Sequence, residues 1–164
     1  MSNADKTLAE QLVALAQDKG VIIATAESCT GGMVSAAITD VPGSSRVFDR
    51  AFITYSNDAK IRMLGVSPTT LEAHGAVCEQ VAAEMALGAL AHSDADIAVA
   101  ITGIAGPGGS DHKPEGRVCF GIATKSTTNT ETVEFGALGR SNVRQKAKEH
   151  ALSTLLKASQ STSL

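Results

Sequence analysis

The stretch VIIATAESCTGG (21–32) begins with an apolar run, passes through a polar turn and ends in two glycines. Its apolar part, Val21 to Ala26, follows Gly20 and predicts a short buried strand. Residues 27–32 then predict a turn, and residues 33–39 predict the helix after it. A strand that leads through a tight turn into a helix is a building unit of layered α/β folds, so this stretch indicates that fold class.

The same alternation of helix and strand continues on both sides of this stretch. Before it, apolar residues recur at helical spacing over residues 5–19. After it, the sequence predicts a strand at 48–55, a helix at 58–64 capped by Asn57, a helix at 79–91, a strand at 96–102, strands at 117–124 and 130–135, and a helix at 142–157 with a frayed tail to Leu164.

The last two predicted strands are separated by the polar segment Lys125 to Asn129. Such spacing predicts an antiparallel hairpin at the C-terminal side of the sheet. We therefore expect residues 1–164 to form a single domain, an α/β three-layer α/β/α sandwich. Its mixed, mostly parallel sheet would contain about five strands, with helices on both faces.

The composition excludes several classes of function. The formal net charge of the 164 residues is −3, which argues against a polyanion-binding surface and therefore against a nucleic-acid partner. Aromatic residues make up only 3%, too few for a base-stacking platform. Charged residues interrupt the first twenty positions, and no apolar run approaches the roughly 20 residues of a membrane span. We expect a cytoplasmic protein without a membrane partner.

The cysteine and histidine patterns predict neither a disulfide framework nor a metal site. The three cysteines are far apart and form no CxxC pair, and the four histidines form no HxxxH or HExxH spacing. We therefore expect a reducing compartment and no bound metal.

The first candidate for chemistry is Ser28, in the turn between a strand and a helix. A serine there holds its hydroxyl clear of the sheet. Backbone amides near Thr30, Gly31 and Gly32 would lie at the positive end of the next helix and supply an oxyanion hole. Serine and threonine are also ordinary helix caps, and from this segment alone that alternative stays open.

The second candidate is the segment TYSNDAK (54–60). If Asn57 caps the helix, Lys60 falls in its first turn, where the helix dipole repels a cation. Repulsion and partial burial lower the pKa of an amine and so supply a neutral base. A solvated surface lysine is the alternative. Tyr55 is the only tyrosine and ends a predicted strand, where a core role is equally open.

The third candidate is the glycine-rich segment ITGIAGPGG (101–109). It matches neither GxGxxG nor a P-loop, so a dinucleotide-binding fold and a Walker-type nucleotidase are disfavoured. It remains a candidate wall for a flat or anionic ligand, with a plain surface loop as the alternative. Arg140, just before the last helix, is placed to pair bidentately with phosphate, whereas Arg144 is interpreted as surface charge. The ligand-binding candidates of this group are Thr102, Gly103, Gly106, Gly108 and Arg140.

Six motifs occur in order along nearly the whole chain: AESCTGG (26–32), YSNDAK (55–60), HGAV (74–77), TGIAGPGG (102–109), KPEGRV (113–118) and GRSNVR (139–144). Together they resemble the CinA C-terminal domain family. The resemblance implies a three-layer α/β/α fold and hydrolysis of nicotinamide mononucleotide (NMN) to nicotinate mononucleotide and ammonia, within NAD recycling. It also implies Ser28 as nucleophile, Lys60 as base, Tyr55 as an accompanying catalytic residue, and no metal or organic cofactor.

With these roles, neutral Lys60 would take the proton of Ser28 during attack on the carboxamide. Protonated Lys60 would then deliver a proton through Tyr55 to the leaving ammonia. Arg140 and the glycine-rich loop would hold the 5′-phosphate. Two alternatives remain: a non-catalytic nucleotide-binding or regulatory module, and a Ser/Lys amidase for another small amide. Because Val- and Ala-rich helix faces would be able to pair, we also expect a homo-oligomer, a dimer or larger.

Overall fold

The computed structural model describes residues 6–162, which form one five-stranded sheet with helices on both faces. The strands are β1 (Ile23–Glu27), β2 (Phe48–Ile53), β3 (Ile97–Gly103), β4 (Arg117–Thr124) and β5 (Thr128–Glu134). The α-helices are α1 (Leu8–Lys19), α2 (Met33–Thr39), α3 (Asn57–Leu64), α4 (Pro68–His74), α5 (Glu79–Ala91) and α6 (Arg140–Ser161).

The strand order is β2-β1-β3-β4-β5, and the sheet is mixed. β1 pairs in parallel with both β2 and β3, whereas β3 with β4 and β4 with β5 pair antiparallel. The three parallel strands therefore end at the same edge of the sheet, which positions the site described below. The predicted hairpin and the α/β class are confirmed.

The two faces of the sheet carry different side chains, as β3 illustrates. Ile97, Val99 and Ile101 point to one face and pack with α1, α2 and α6. Ala98 and Ala100 point to the other face and pack with α3, α4 and α5. Since successive strand residues alternate between faces, large side chains line one layer and small ones the other.

The small side chains let α5 approach the sheet closely. A Cβ atom added to Gly121 of β4 would overlap with the carbonyl oxygen of Ala82 in α5. On its other side, Gly88 of α5 lies against the backbone of Leu64 in α3 in the same way. The absence of a Cβ atom at these two glycines therefore allows the short distances between α5 and its neighbours.

Several predicted boundaries differ from the observed ones. Ser56, not Asn57, caps α3, because its hydroxyl accepts the amide hydrogen of Ala59 at 3.0 Å. α4 falls in a segment predicted only as glycine- and proline-punctuated loop, where Pro68 occupies the first turn. α6 begins at Arg140 and continues to Ser161, so the predicted frayed tail is helical to that point.

Other boundaries shift by a few residues. β2 ends at Ile53, so Tyr55 follows the strand rather than ending it. The predicted start of the first helix at Asp5 and the last two residues of the tail, 163 and 164, lie outside the described residues. Within 6–162, no helix has both the length and the apolar character to cross a bilayer. The three cysteines are free thiols.

Candidate active site

The ends of the three parallel strands bring Ser28 and the segment after β2 together. Ser28 follows β1 directly, and its amide hydrogen is donated to the carbonyl of Ile101 in β3 at 3.0 Å. On the other side of β1, the amide of Thr54 donates to the carbonyl of Glu27 at 2.9 Å. The ladder hydrogen bonds thus continue past the strands and fix the backbone on which the site is built.

Lys60 lies against Ser28 inside the protein. Its Nζ atom is 3.0 Å from Oγ of Ser28 and donates a second hydrogen bond to the carbonyl oxygen of Thr54 at 2.7 Å. The Lys60 side chain is only 1% exposed and Ser28 only 8%. The alternative interpretation of Lys60 as a solvated surface lysine is therefore wrong, and the two residues are within proton-transfer distance.

Burial shifts the protonation equilibrium of Lys60 toward the neutral amine. Removing the ammonium from water lowers the pKa of Lys60 below its ordinary value, an effect that the nearby Cys29 opposes. Lys60 lies in the first turn of α3, where its amide donates to the carbonyl of the cap residue Ser56 at 3.2 Å. A lysine whose neutral form is favoured by its surroundings is suited to act as a base.

The turn after Ser28 is anchored by the buried carboxylate of Glu27. Its Oε1 accepts the amide hydrogens of Gly32 at 3.2 Å and Val34 at 2.9 Å, and its Oε2 accepts that of Ser35 at 3.0 Å. The carboxylate thereby satisfies the amides at the start of α2, which otherwise have no intrahelical partner. Glu27 fixes where the helix begins and, with it, the turn.

These contacts correct the predicted oxyanion hole. The amide hydrogen of Gly32 is donated to Glu27, and that of Gly31 to the carbonyl of Ser28 at 3.0 Å. Neither is free for a ligand in this conformation. The amide of Thr30 donates to no acceptor in the part of the chain that the structure describes, so it alone of the three keeps its predicted role as a hypothesis.

Arg144 also contacts this turn, which overturns its interpretation as surface charge. Its Nε donates to the carbonyl of Cys29 at 3.0 Å, and its Nη2 donates to the carbonyl of Thr30 at 3.4 Å. The Cys29 thiol itself is buried, and desolvation raises its pKa to about 11. The thiol next to Ser28 is therefore protonated at neutral pH and a poor nucleophile.

Tyr55 is bound to Arg140 rather than to Lys60. Arg140 donates from Nη2 to the Tyr55 hydroxyl at 2.8 Å and from Nη1 to the carbonyl of Gly106 at 2.6 Å. Tyr55 is 62% exposed, so the alternative of a core tyrosine is wrong. Among residues 6–162, no hydrogen bond joins Tyr55 to Lys60 or Ser28, and the expected proton relay has no direct contact to support it.

The glycine-rich loop is held in place by Glu115. One carboxylate oxygen accepts the amide hydrogen of Gly108 at 2.6 Å, and the other accepts that of Gly139, just before α6, at 3.1 Å. At the start of the loop, the hydroxyl of Thr102 donates to the carbonyl of Ala76 at 2.9 Å. Thr102 therefore joins β3 to the segment before α5.

A cavity of about 380 Å³ lies beside Ser28 and Lys60, within the range of roughly 300–1,000 Å³ of small-molecule sites. The predicted residues that line it are Ser28, Tyr55, Lys60, Thr102, Gly103, Gly106, Gly108 and Arg140. Thr30, Gly31 and Gly32 are not among its lining residues. Of the lining side chains in the described chain, Lys60 and Arg140 are the basic ones and none is a carboxylate, so the charge of Arg140 favours an anionic ligand.

Sequence reasoning left the functional contacts of Glu27, Thr54, Glu115 and Arg144 undetected. Each acts through long-range or backbone contacts, which have no spacing signature. Glu27 offered the best signal, because a glutamate at the end of a fully buried strand needs hydrogen-bond partners. In residues 6–162, no group of three or more His, Cys, Asp and Glu side chains could hold a metal ion.

Comparison with known proteins places the chain among close relatives. It is 53% identical to the CinA-like protein of Chlorobaculum tepidum over 81% of this chain, but it spans about a third of that protein (32%). It is 50% identical to the nicotinamide-nucleotide amidohydrolase PncC of Escherichia coli (strain K12), with 90% of each chain covered.

Solved structures resemble the whole described fold. The competence/damage inducible protein CihA of Agrobacterium tumefaciens superposes with a TM-score of 0.87 at 42% identity, covering 96% of this chain and 98% of that one. A competence or damage-inducible protein from Enterobacter asburiae gives 0.89 at 38% identity, covering 94% and 99%. The family model described as the CinA C-terminal domain matches residues 5–159, and the chain therefore belongs to the CinA C-terminal domain family.

Proposed function

We propose that this protein hydrolyses the carboxamide of NMN to nicotinate mononucleotide and ammonia, with Ser28 as nucleophile and Lys60 as base. The observation that carries the proposal is the 3.0 Å separation between Lys60 Nζ and Ser28 Oγ at the buried end of the cavity. The relative named nicotinamide-nucleotide amidohydrolase supports the substrate class. The product would return to NAD through pyridine-nucleotide recycling.

The carbonyl of Thr54 gives the Lys60 amine a defined direction. A neutral amine has two hydrogens and one lone pair, and Nζ donates to that carbonyl at 2.7 Å. The lone pair is then available to the hydroxyl hydrogen of Ser28. In the proposed first step, Lys60 takes this proton while Oγ attacks the carboxamide carbon, which forms a tetrahedral intermediate.

Collapse of the intermediate needs a proton for the leaving nitrogen. Lys60, now protonated, gives its proton to the amide nitrogen, the C–N bond of the intermediate breaks, and ammonia departs and leaves the nicotinoyl ester on Ser28. A water molecule, deprotonated by the same lysine, then attacks the ester, and Lys60 passes the proton to Oγ of Ser28 as the C–O bond breaks and the acid product is released. The oxyanion of both tetrahedral intermediates would be stabilised by the Thr30 amide, whose hydrogen is donated to none of the residues at positions 6–162.

The positive charge of Arg140 favours NMN, which carries a phosphate, over free nicotinamide, which does not. Arg140 lines the cavity and donates to the carbonyl of Gly106 in the glycine-rich loop, and an arginine fork matches a phosphate in geometry and charge. Lys60 is the other basic side chain of the cavity, and its neutral form would not repel a pyridinium ring. We therefore propose that Arg140 faces the 5′-phosphate and that Lys60 and Ser28 face the carboxamide.

The decisive experiment measures ammonia release from NMN by the wild-type protein and by Ser28→Ala. Turnover by the wild type that Ser28→Ala abolishes supports the proposal. NMN binding without ammonia release would instead favour the binding module. Faster release from nicotinamide, NAD or another small amide than from NMN would favour a different amidase.

A further inference from the structure

The guanidinium of Arg144 bridges two consecutive carbonyls in the turn that follows Ser28. It donates from Nε to Cys29 O at 3.0 Å and from Nη2 to Thr30 O at 3.4 Å, and the side chain comes from the distant helix α6. We propose that Arg144 is a positioning residue, which holds the backbone of this turn in the orientation that attack by Ser28 requires. This inference rests on the proposed function.

The first argument is the planarity of the peptide group. In a trans peptide, the carbonyl oxygen and the amide hydrogen of the next residue point in opposite directions. Fixing the carbonyl of Cys29 therefore fixes the amide hydrogen of Thr30. Fixing the carbonyl of Thr30 fixes the amide of Gly31, which donates to the carbonyl of Ser28 itself at 3.0 Å. Arg144 thus reaches the nucleophile's own backbone through two peptide groups.

The second argument is that no other donor in residues 6–162 bonds to the carbonyl oxygen of Cys29. Within residues 6–162, the carbonyl of Cys29 accepts a hydrogen bond from Arg144 alone. The carbonyl of Thr30 also accepts the amide of Met33 at 2.9 Å, so it stays bound without the arginine. Loss of Arg144 would therefore free the Cys29–Thr30 peptide group, the one whose amide is the candidate oxyanion donor.

The third argument is the space left for the guanidinium. A Cβ atom on Gly31 would lie 3.3 Å from Nη2 of Arg144, so glycine lets the planar fork lie against the turn. An arginine fork spans two neighbouring acceptors in one plane, whereas a lysine ammonium is a single point donor. The contact therefore requires arginine and not merely positive charge.

Arg144 acts separately from the base. Burial lowers the pKa of Lys60, and Cys29 is the nearby group that opposes this effect. The charge of Arg144 acts instead on the Cys29 thiol. We therefore expect loss of Arg144 to reduce the rate without moving the pH at which Lys60 becomes active.

The test compares Arg144→Ala and Arg144→Lys with Lys148→Ala, which removes a half-buried basic side chain one turn further along α6. A displacement of reacting groups by about 1 Å costs on the order of 10²-fold in rate. We expect a kcat loss of that order in Arg144→Ala, a KM for NMN close to that of the wild type, and an unchanged pH profile. Lys148→Ala should match the wild type, and methylguanidinium should restore part of the activity of Arg144→Ala.

Equal kcat in Arg144→Ala and wild type would overturn the inference, as would a loss that Lys148→Ala shares. Full activity of Arg144→Lys would show that charge alone suffices and would contradict the bridging role. A fall in kcat with a shifted pH profile would assign Arg144 to the base rather than to the turn.

A second readout separates this inference from the proposed substrate. A fluorophosphonate probe reacts with an activated serine, and the mass of the intact protein reports labelling of Ser28. If the wild type releases no ammonia from NMN, the proposed hydrolysis fails, but the labelling rates still test Arg144. Labelling that is much slower in Arg144→Ala than in wild type and Lys148→Ala supports the inference. Equal rates, or a wild type that is not labelled, contradict it.

Discussion

Lys60 Nζ lies 3.0 Å from Ser28 Oγ, although 32 positions of sequence separate the two residues. Their meeting follows from the parallel pairing of β1 and β2, because Ser28 follows one strand and the helix of Lys60 follows the other. The hydrogen bond from Thr54 to Glu27 locks the two strand ends in register. The pair is therefore built into the sheet and does not depend on a mobile loop.

Two nucleophiles stand side by side in the turn, and their environments predict which one reacts. We expect Ser28→Ala to lose ammonia release from NMN by at least about 10²-fold, because the lysine then has no hydroxyl to deprotonate. We expect Cys29→Ala to retain most of the activity, because burial raises the thiol pKa to about 11 and keeps it protonated. Initial rates of ammonia release measure both variants. A Cys29→Ala protein as inactive as Ser28→Ala would contradict these roles.

The charge state of Lys60 predicts a pH dependence with a definite sign. Only the neutral amine accepts a proton, and burial lowers the Lys60 pKa from its ordinary value of about 10.5. Activity should therefore rise with pH on a limb centred below 10.5 and fall as pH decreases through the folded-state pKa. The profile of kcat/KM for NMN reports this value in the free enzyme. A limb centred at or above 10.5 would argue against a buried base.

Lys60→Arg keeps the positive charge of the side chain but removes its ability to accept a proton. The substitution therefore separates the effect of charge from that of proton transfer. Arginine stays protonated, so Lys60→Arg should lose roughly 10²–10⁴-fold in kcat, and Lys60→Met should lose as much. Circular dichroism and urea unfolding check that both variants remain folded. An active Lys60→Arg variant would show that the residue contributes charge and not proton transfer.

The order of elements follows from local patterns, whereas several boundaries do not. The run 21–26 and β4 are apolar stretches bordered by turn residues, and β5 is rich in β-branched residues, so the strands were predictable. α4 contains a proline in its first turn and a glycine at its end, and the same residues also mark loops. The cap of α3 moved by one residue because Ser56 and Asn57 are both good caps, and only their backbone angles decide between them.

The site was predictable where a residue type carries the chemistry, and not where a distant contact does. Ser28, Lys60 and Arg140 are reactive or charged groups at strand or helix ends, which a sequence reveals. The partner of Tyr55 is Arg140, 85 positions away, and no local pattern indicates it. The amides of Gly31 and Gly32 are taken by Ser28 and Glu27, which only the folded turn shows.

The contact between Tyr55 and Arg140 predicts that the tyrosine supports binding. Tyr55→Phe removes the hydroxyl that accepts from Arg140 Nη2, but Nη1 keeps its bond to Gly106. We expect a KM for NMN raised by a few fold and a kcat near that of the wild type, since Tyr55 is 62% exposed and one such hydrogen bond contributes only about 0.5–1 kcal/mol. Arg140→Ala should raise KM further, while any weak action on nicotinamide stays unchanged. A kcat loss without a KM change in Tyr55→Phe would restore the relay role.

Glu115 joins two elements of the cavity, and its removal should loosen both. In Glu115→Ala, the amides of Gly108 and Gly139 lose their shared acceptor, so the glycine-rich loop and the start of α6 are no longer tied. We expect KM for NMN to rise about tenfold, which corresponds to about 1.4 kcal/mol. Glu134→Ala is the control, because its carboxylate binds Arg117 on the hairpin instead. An equal effect of the two substitutions would show a general loss of stability rather than a loosened cavity.

The hydrogen bonds of Glu27 predict that Glu27→Gln lowers the stability of the fold. Its two carboxylate oxygens accept three backbone amides at the start of α2, and the side chain is fully buried. Glu27→Gln keeps the shape of the side chain but replaces one carboxylate oxygen by an amide NH₂ group. This group faces a backbone N–H and cannot accept its hydrogen. Leaving a buried donor without a partner costs about 1–3 kcal/mol, so the free energy of unfolding in urea should fall by that amount. The exposed Glu149→Gln makes the same chemical change on α6 and should leave the free energy of unfolding within about 0.5 kcal/mol of the wild type. If Glu27→Gln were as stable as Glu149→Gln, the turn that carries Ser28 would be held by its backbone alone.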